Sequence, residues 1–280
     1  MIGRRAFVAA AVAALPAFAK PAFRAQVGIN IYSLRYKAEK DLPGTLALIR
    51  ELGFLEVEAG ELYGRSAAEF RGLLKAAGLH ATSFGAGYDA LGKDLDSVAA
   101  QAQTLGAQHV VCSTIPHSAK HVALKDCQPA ADNLNRWGER LAAKGLHLCY
   151  HTHGTEFDPS PDGTMFDTLA KLSNPKFVNF EMDIFWIVYG YQDPVKLLRR
   201  YPGRFPLMHI KDIRKGTVLG GSPADVLEEE SVPLGTGLVD VQAALLAAQT
   251  YGVQHYYLEE EAVDAEPQIR QSLRYLASLR

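Results

Sequence analysis

A repeated order of helix, glycine and strand constrains the fold of this chain more than any other feature. Five glycines each follow a segment with helical apolar spacing and precede a short run rich in Val, Ile, Phe and Tyr; they are Gly53, Gly78, Gly106, Gly145 and Gly252. A glycine in that place is typical of the left-handed residue that ends a helix. Ser66 with Glu69 predicts a capping box, and Asp240 predicts an N-cap. The recurrence indicates a repeated βα unit.

Strand and helix patterns alternate along the rest of the chain. The patterns predict strands at 27–34, 54–59, 80–85, 109–115, 147–153, 178–185, 206–213 and 254–261. They predict helices at 42–52, 67–77, 95–105, 129–144, 166–172, 194–201, 241–251 and 267–279. Eight of each over about 250 residues predict an α/β fold, the (β/α)8 TIM barrel. An open doubly wound sheet is the alternative, but no Gly-x-Gly-x-x-Gly follows the first strand. We expect a single barrel domain at residues 20–280.

The first nineteen residues predict an export signal. Paired arginines at positions 4 and 5 precede an apolar run that ends in Ala17-Phe18-Ala19, an Ala-x-Ala cleavage pattern. The paired arginines resemble a twin-arginine signal. The apolar run is shorter than the ~20 residues that span a bilayer. We therefore expect residues 1–19 to be a twin-arginine-like signal peptide and the protein to be exported, to the periplasm, without stable membrane anchoring.

Composition bounds the partners of the protein. The 280 residues are 48% hydrophobic and 21% charged, as in a globular protein with an ample core. A formal net charge of −2 and the absence of a basic stripe give no electrostatic footprint for nucleic acid. The three cysteines, Cys112, Cys127 and Cys149, are expected to be core thiols. Oligomeric state is left open by the sequence.

Five strand-like runs end in an acidic or imidazole side chain. The residues concerned are Glu58, His151 with His153, Asp183, His209, and Glu259 with Glu261. In a parallel barrel all strand C-termini open onto one face, so these side chains would meet there. Two histidines and two carboxylates that converge favour a divalent-metal site. Asp183 is the clearest of them, because an inward aspartate needs a cation or a basic partner.

Individual roles follow less directly from the pattern. Alternation places His209 and Lys211 on one face of their strand. Of His151 and His153, one is expected to bind metal and the other to orient it or contact substrate. Glu58 fits equally well as a general base, an acceptor for a substrate hydroxyl or a salt-bridge partner.

Aromatic and polar side chains beyond the strand ends are candidates for substrate contacts. Phe185 and Trp186 follow Asp183 directly, and aromatic rings at a barrel mouth are suited to stacking on sugar rings. Packing between helices is the alternative for them. Tyr32 and His117 are weaker candidates of the same kind. Glu261 is expected at the solvent-facing rim.

Four short motifs, in this order and spacing, resemble those of the sugar phosphate isomerase/epimerase family, the xylose isomerase-like TIM barrels. The motifs are Tyr-His-Thr-His-Gly-Thr-Glu-Phe, Phe-Glu-Met-Asp-Ile-Phe-Trp, His-Ile-Lys-Asp and Leu-Gly-Thr-Gly. The resemblance covers nearly the whole chain after residue 19. It implies one divalent metal ion held by four strand-end side chains, which fall here on His151, Asp183, His209 and Glu259.

Two positions depart from the family pattern. The family commonly has a glutamate where this chain has His151, and a histidine where it has Trp186. In the epimerase members two metal-bound glutamates exchange a proton across the sugar, and His151 puts that symmetric exchange in doubt. Both departures point to altered chemistry, such as that of a keto-sugar lyase or dehydratase.

The sequence predicts a metal-dependent sugar isomerase/epimerase that acts on a carbohydrate or cyclic polyol. The expected step is proton abstraction next to a carbonyl, giving an enediolate that the metal stabilises. The metal is expected to be one Mn²⁺, Zn²⁺, Co²⁺ or Fe²⁺ ion. The candidate catalytic residues are Glu259, Lys211, Glu58 and Glu156. The candidate substrate-binding residues are His153, Trp186, Phe185, Tyr32 and His117.

Three alternatives remain. A keto-sugar lyase or dehydratase on the same barrel would share the first step of the reaction. A non-catalytic sugar-binding protein would keep the barrel without turnover. A metal-dependent nuclease of abasic DNA would need more ligands and a basic groove, which the net charge of −2 argues against.

Overall fold

Eight parallel strands close into a barrel in the computed structural model, which describes residues 22–117 and 120–279. The strands, labelled β1 to β8 in chain order, are Val27–Asn30, Glu56–Ala59, His80–Ala86, His109–Cys112, His147–His151, Val178–Asp183, Leu207–Ile210 and His255–Leu258. Each strand pairs with the next along the chain, and β8 pairs with β1 to close the barrel. The predicted single-domain (β/α)8 TIM barrel is confirmed. The predicted signal peptide at residues 1–19 lies outside the described residues.

Helices surround the barrel. They are Arg35–Ala38, Leu42–Glu51, Ala67–Ala76, Tyr88–Lys93, Leu95–Leu105, Leu124–Ala142, Met165–Leu172, Ile184–Tyr189, Pro194–Arg200, Val241–Tyr251 and Glu266–Ser278. Their apolar faces belong to one large buried cluster that includes Leu46, Phe70 and Leu134. Burial of these faces is the main driving force that holds the helices against the strands. Within the described residues, no helix is both long and apolar enough to cross a membrane.

The predicted helix ends are confirmed at atomic detail. All five glycines that precede strands have positive φ, between 73° at Gly78 and 97° at Gly53. The Ser66 side chain accepts from the backbone N–H of Glu69, whose carboxylate accepts the N–H of Ser66 in return. Asp240 caps the helix Val241–Tyr251 through the N–H of Ala243. These local signals were readable from sequence because they depend on neighbours within four residues.

Six of the eight strands end two to four residues earlier than predicted, and in two of them a side chain explains the end. The run at 27–34 stops being a strand at Asn30, whose side chain accepts the N–H of Tyr32 and begins a 3-10 turn, Ile31–Leu34. The run at 178–185 stops at Asp183, whose carboxylate caps the helix Ile184–Tyr189. In both places a side-chain oxygen competes with the strand for backbone N–H groups.

The long segment at 214–237 is held by the last residue of the His-Ile-Lys-Asp motif. The buried carboxylate of Asp212 accepts the N–H groups of Gly235, Gly237 and Val239. A Cβ atom at Gly237 would lie 2.3 Å from Asp212 Oδ1, so only glycine permits this approach. The motifs His-Ile-Lys-Asp and Leu-Gly-Thr-Gly therefore form one structural unit. A short antiparallel pair, Asp212–Ile213 with Ser231–Val232, completes it.

The N-terminal end of the barrel holds a small imidazole cluster. The buried His109 ring lies 5.4 Å from the ring of His147 and 5.6 Å from that of His255, measured between centroids. His255 Nδ1 lies 2.8 Å from Glu56 Oε2. Burial, together with the two neighbouring imidazoles, lowers the pKa of His109 from 6.5 to about 4. His109 is thus neutral in the folded protein at pH values where it is protonated in the unfolded chain.

We expect the free energy of unfolding to fall by about 2 kcal/mol between pH 7 and pH 5 because of His109 alone. In this window the unfolded chain binds a proton at this imidazole and the folded protein does not, so stability is lost as pH falls below 6.5. His109→Gln should remove that part of the loss, and His80→Gln, at an exposed imidazole on β3, should retain it. Urea unfolding at both pH values measures the difference. A His109→Gln protein as sensitive to pH as the wild type would contradict the assignment.

Candidate active site

A cavity of about 530 Å³ opens at the C-terminal ends of the strands. Strand-end residues on its wall are Asn30, Glu58, His151, Glu181, His209 and Glu259. Residues from the following loops complete the wall, among them Tyr32, Arg35, Tyr63, His153, Trp186 and Glu261. This is the face on which the active sites of TIM-barrel enzymes lie.

Asp183 supplies the least satisfied atom of the site. It is the last residue of β6, and its Oδ1 accepts the N–H groups of Phe185 at 2.8 Å and Trp186 at 3.2 Å. Its Oδ2 is buried and has no hydrogen-bond partner. An unpaired buried carboxylate oxygen is costly unless a positive charge or a donor reaches it.

Three of the four predicted metal ligands converge around that oxygen, and the fourth, Glu259, contacts one of them. Asp183 Oδ2 lies 3.8 Å from His209 Nδ1 and 3.9 Å from His151 Nε2. Glu259 Oε2 lies 2.5 Å from His209 Nδ1. Donor atoms of His151, Asp183 and His209 all lie within 4.8 Å of one another, close enough to share one ion.

The donor set and the environment both fit a divalent metal ion. Two imidazole nitrogens and two carboxylates suit Zn²⁺, Mn²⁺, Co²⁺ or Fe²⁺ better than Ca²⁺, which prefers oxygen ligands. A cation bound there would pair the free Oδ2 of Asp183. The residues present can therefore hold the group that the resemblance implies.

Glu181 is a buried site residue that the sequence analysis did not select. Its Oε2 accepts from His151 Nδ1 at 2.8 Å, and its Oε1 lies 3.5 Å from His209 Nε2. Burial and the nearby carboxylate of Glu58 raise the pKa of Glu181 to about 7. The signal that could have found it is alternation, because Glu181 lies two residues before Asp183 and so on the same face of β6.

Glu58 lies within a network of donors. Its Oε1 accepts from His209 Nε2 at 2.6 Å and from the Asn30 amide at 3.1 Å, and its Oε2 accepts from the Ser83 hydroxyl at 2.6 Å. Burial alone would raise the pKa of Glu58, but His209 and these hydrogen bonds lower it. Of the three roles that the sequence left open, these contacts agree best with that of a salt-bridge partner, and the partner is His209.

Lys211 is fully buried behind the carboxylates and is not among the described residues of the cavity wall. Its ammonium pairs with Glu261 and lies 3.7 Å from Glu259 Oε1 and 3.9 Å from Asp183 Oδ2. Burial alone would lower the pKa of Lys211, but these three carboxylates raise it above its ordinary value. Glu261, expected at the solvent-facing rim, is half-buried on the cavity wall, where it is the ion-pair partner of this lysine.

The candidate substrate-binding residues divide into two groups. Tyr32, His153 and Trp186 lie on the cavity wall. Phe185 does not, because its ring packs 4.9 Å from the Lys211 ammonium and is buried. His117 is not brought to the wall either: β4 ends at Cys112, and the His117 ring turns back to contact the Ile115 carbonyl at 2.8 Å.

His153 combines exposure to the cavity with an unused nitrogen. Its Nδ1 is buried without a hydrogen-bond partner. Burial and the adjacent imidazole of His151 lower the pKa of His153 to about 3, so the ring is neutral. A neutral imidazole with a free nitrogen can bind a hydroxyl group.

Glu156 was expected to handle protons, but the structure places it away from the cavity wall. The Tyr150 hydroxyl donates to its Oε1, and its Oε2 accepts the backbone N–H of His153 at 3.2 Å. The side chain is buried. These contacts hold the loop after β5, and Glu156 is not among the described residues of the cavity wall.

The mouth of the cavity is closed on one side by an arginine between two tyrosines. The Arg35 guanidinium lies 4.4 Å from the ring centroids of both Tyr32 and Tyr36. It donates to Glu228 at 2.6 Å and to the Glu261 carbonyl at 2.8 Å. Glu228 thus ties the 214–237 segment to the first βα unit.

Comparison with known proteins agrees with this geometry. Residues 46–279 match the family described as Xylose isomerase-like TIM barrel. A protein named inosose dehydratase, from Geobacillus kaustophilus, is 26% identical over 205 residues, 62% of this chain and 66% of that protein. The chain's matches to inosose dehydratases span from 29% to 66% of those proteins.

Two solved structures share the fold. A sugar phosphate isomerase/epimerase from Parabacteroides distasonis is 22% identical, with a TM-score of 0.72 over 94% of this chain and 97% of that one. The IOLI protein with a bound zinc atom is 14% identical, with a TM-score of 0.69 over 91% of this chain and 98% of that one. At these identities the likeness is one of fold.

Glu156→Gln is expected to lower the free energy of unfolding by about 1–3 kcal/mol while metal content and activity stay near wild type. The amide leaves one of two buried hydrogen bonds poorly matched. Urea unfolding and elemental analysis of the same preparation measure both effects. Tyr150→Phe, which removes the hydroxyl partner, is the matched control and should give a similar loss. Unchanged stability with lost activity would return Glu156 to the catalytic residues.

Proposed function

This chain belongs to the xylose isomerase-like TIM barrel family, and we propose that it is a metal-dependent enzyme that removes a proton next to a carbonyl of a keto sugar or cyclic polyol. The observation that carries the proposal is the convergence of His151, Asp183 and His209 on one buried point, with Glu259 in contact with His209 and with Asp183 Oδ2 left without a hydrogen bond. The cavity above it has room for a monosaccharide-sized molecule.

A divalent cation held by those four side chains would supply a Lewis acid beside the substrate carbonyl. Glu259 lies on the cavity wall and is the candidate proton acceptor. Lys211, 3.7 Å behind its Oε1, holds that carboxylate in place and balances its charge. The His153 ring on the cavity wall would contact the substrate, and Trp186 gives the same wall an apolar surface for the sugar ring.

Loss of water is the outcome that we propose first. His151 stands where the resemblance implies a glutamate, which leaves Glu259 without a matching carboxylate across the substrate. One group suffices for an elimination, because the proton that Glu259 takes from carbon can be returned to the departing hydroxyl as water. The inosose dehydratase from Geobacillus kaustophilus carries a name that fits this chemistry.

Isomerisation or epimerisation is the second candidate. It starts from the same proton abstraction, and the sugar phosphate isomerase/epimerase from Parabacteroides distasonis has the same fold. Isomerisation can use Glu259 for both proton transfers, whereas epimerisation requires a second group that returns the proton to the opposite face. His153, on the wall beside His151, is the candidate for that second group.

Charge on the cavity wall favours an uncharged substrate. Six glutamates line it, namely Glu39, Glu58, Glu61, Glu181, Glu259 and Glu261. Arg35 is the single lysine or arginine among the described residues of the wall, and Glu228 already pairs with it. A phosphorylated or carboxylated sugar would meet a negative field without a free cationic side chain to receive it.

Asp183→Asn and His209→Ala should each remove most of the bound metal while leaving the barrel folded. His209→Ala removes one of the four donors and Asp183→Asn removes the negative charge of another, and the wild type should hold one divalent ion per chain. Elemental analysis after dialysis against Zn²⁺ or Mn²⁺, with circular dichroism as the folding check, measures this. Glu156→Gln is the control that should keep its metal. Full occupancy in Asp183→Asn would refute the site.

Turnover of an uncharged keto sugar or inosose by the metal-loaded enzyme should be detected by NMR in D₂O. We expect loss of water, or deuterium at the carbon next to the carbonyl, and at least tenfold lower rates with phosphorylated analogues. Glu259→Gln at saturating metal should lose about 10²–10⁴-fold in rate, since it removes the proton acceptor. Glu156→Gln, a buried carboxylate away from the wall, is the control. Tight sugar binding without exchange or water loss would favour the non-catalytic sugar-binding protein.

A further inference from the structure

We propose that Glu58 and Glu181 position the two metal-binding histidines, each by accepting the N–H of the ring nitrogen that faces away from the cation. The inference rests on the metal site proposed above. It assigns a role to two buried carboxylates that are not among the four ligands. Both would act through a histidine and not on the substrate.

The ring of His209 separates four carboxylates into two pairs. On the Nδ1 side lie the proposed ligands, with Glu259 Oε2 at 2.5 Å and Asp183 Oδ2 at 3.8 Å. On the Nε2 side lie Glu58 Oε1 at 2.6 Å and Glu181 Oε1 at 3.5 Å. A proton on Nε2, donated to Glu58, leaves the lone pair of Nδ1 directed at the cation site.

In His151 the two ring nitrogens exchange roles relative to His209. Its Nδ1 contacts Glu181 Oε2 at 2.8 Å, and its Nε2 is directed at Asp183 Oδ2, 3.9 Å away. A proton on Nδ1, donated to Glu181, therefore leaves Nε2 free for the cation. The two histidines offer different nitrogens to one point because their carboxylate partners lie on different strands.

Glu58 is itself fixed by neutral donors. The Ser83 hydroxyl on β3 donates to its Oε2 at 2.6 Å, and the Asn30 amide at the end of β1 donates to its Oε1 at 3.1 Å. Three donors to one buried carboxylate leave it little freedom to turn toward a cation. Ser83 on β3 thus holds Glu58 in place, and Glu58 in turn holds the proposed ligand His209.

Glu181 also explains how the site tolerates a neutral side chain at position 151. A carboxylate that accepts from a metal-binding imidazole fixes its tautomer and increases its strength as a donor. The carboxyl group that the ligand position lacks lies behind the ring instead, with its Oε2 2.8 Å from His151 Nδ1. The His151 and Glu181 pair therefore replaces a single glutamate.

The rival is a second cation. Donor atoms of Glu58, Glu181 and His209 also lie within 4.8 Å of one another, so His209 could bridge two ions through its two nitrogens. In that arrangement Glu58 and Glu181 would be ligands. The number of ions per chain separates the two assignments.

The experiment compares Zn²⁺ and Co²⁺ affinity, by competition with a chelating dye, across graded variants. Glu58→Met and Glu181→Met keep the side-chain length and remove the acceptor, and should each weaken binding about 10–100-fold. Glu58→Gln and Glu181→Gln keep an acceptor oxygen and should lose less than the methionine variants. Ser83→Ala, which removes only a hydroxyl from Glu58, should show a smaller loss in the same direction and serves if Glu58→Met does not fold. Glu56→Met is the matched control, because it breaks a carboxylate–histidine pair of the same length on the same strand, with His255, away from the cation.

Each outcome decides one question. Weaker binding, a changed visible spectrum of bound Co²⁺ and one ion per chain in every folded variant support the positioning role. Affinity equal to wild type in Glu58→Met and Glu181→Met, with only the urea unfolding midpoint lowered, overturns it and leaves the metal site standing. Two ions per wild-type chain, one of them lost in Glu58→Met, overturns it in favour of the second cation. A wild-type protein that binds neither Zn²⁺ nor Co²⁺ contradicts the proposed function itself.

Discussion

Burying a charge in a protein costs free energy unless a partner of opposite charge or a hydrogen-bond donor is supplied, and the upper half of this barrel is organised by that requirement. Asp183 and Glu181 are fully buried at the end of β6, and Lys211 is fully buried opposite them. Almost every carboxylate oxygen nearby has a donor within hydrogen-bond distance. The clear exceptions, Asp183 Oδ2 and Glu181 Oε1, face the histidines. The two buried carboxylate oxygens without a hydrogen bond therefore lie beside the histidines, at the proposed cation site.

Asp183 shows how the fold and the site share one side chain. Its Oδ1 ends β6 by capping the helix Ile184–Tyr189, so the carboxylate cannot rotate freely. Its Oδ2 is held toward His151 and His209 by the same constraint. A helix cap normally contributes about 1 kcal/mol to stability. Here the cap also aims the second oxygen, which is why a substitution at this position would affect helix and site together.

A histidine at position 151, where the resemblance implies a glutamate, affects more than one residue of the proposed metal site. A neutral imidazole gives less charge to the cation than a carboxylate does, so the electrostatic balance of the site shifts toward a stronger Lewis acid. Glu181 compensates from outside the ligand set, at 2.8 Å from the ring. Among the four proposed ligands, Glu259 is then the single carboxylate on the cavity wall, since Asp183 is not on it. The identity of residue 151 therefore affects both the arrangement of the carboxylates and the proposed reaction.

The sequence by itself determined the barrel, the helix caps and the residues at the strand ends, because these depend on periods of two and 3.6 residues and on neighbours within a single turn. It placed His151, Asp183, His209 and Glu259 on one face for the same reason. Tertiary structure decided how the charges pair. Glu181 contacts His151, and Glu58 contacts His209, which is 151 positions away in the sequence. Lys211 and Glu156 lie behind the cavity wall. These positions depend on side-chain directions and on contacts between distant strands. Local periodicity specifies which face a residue occupies, but only the closed barrel brings each charge to its partner.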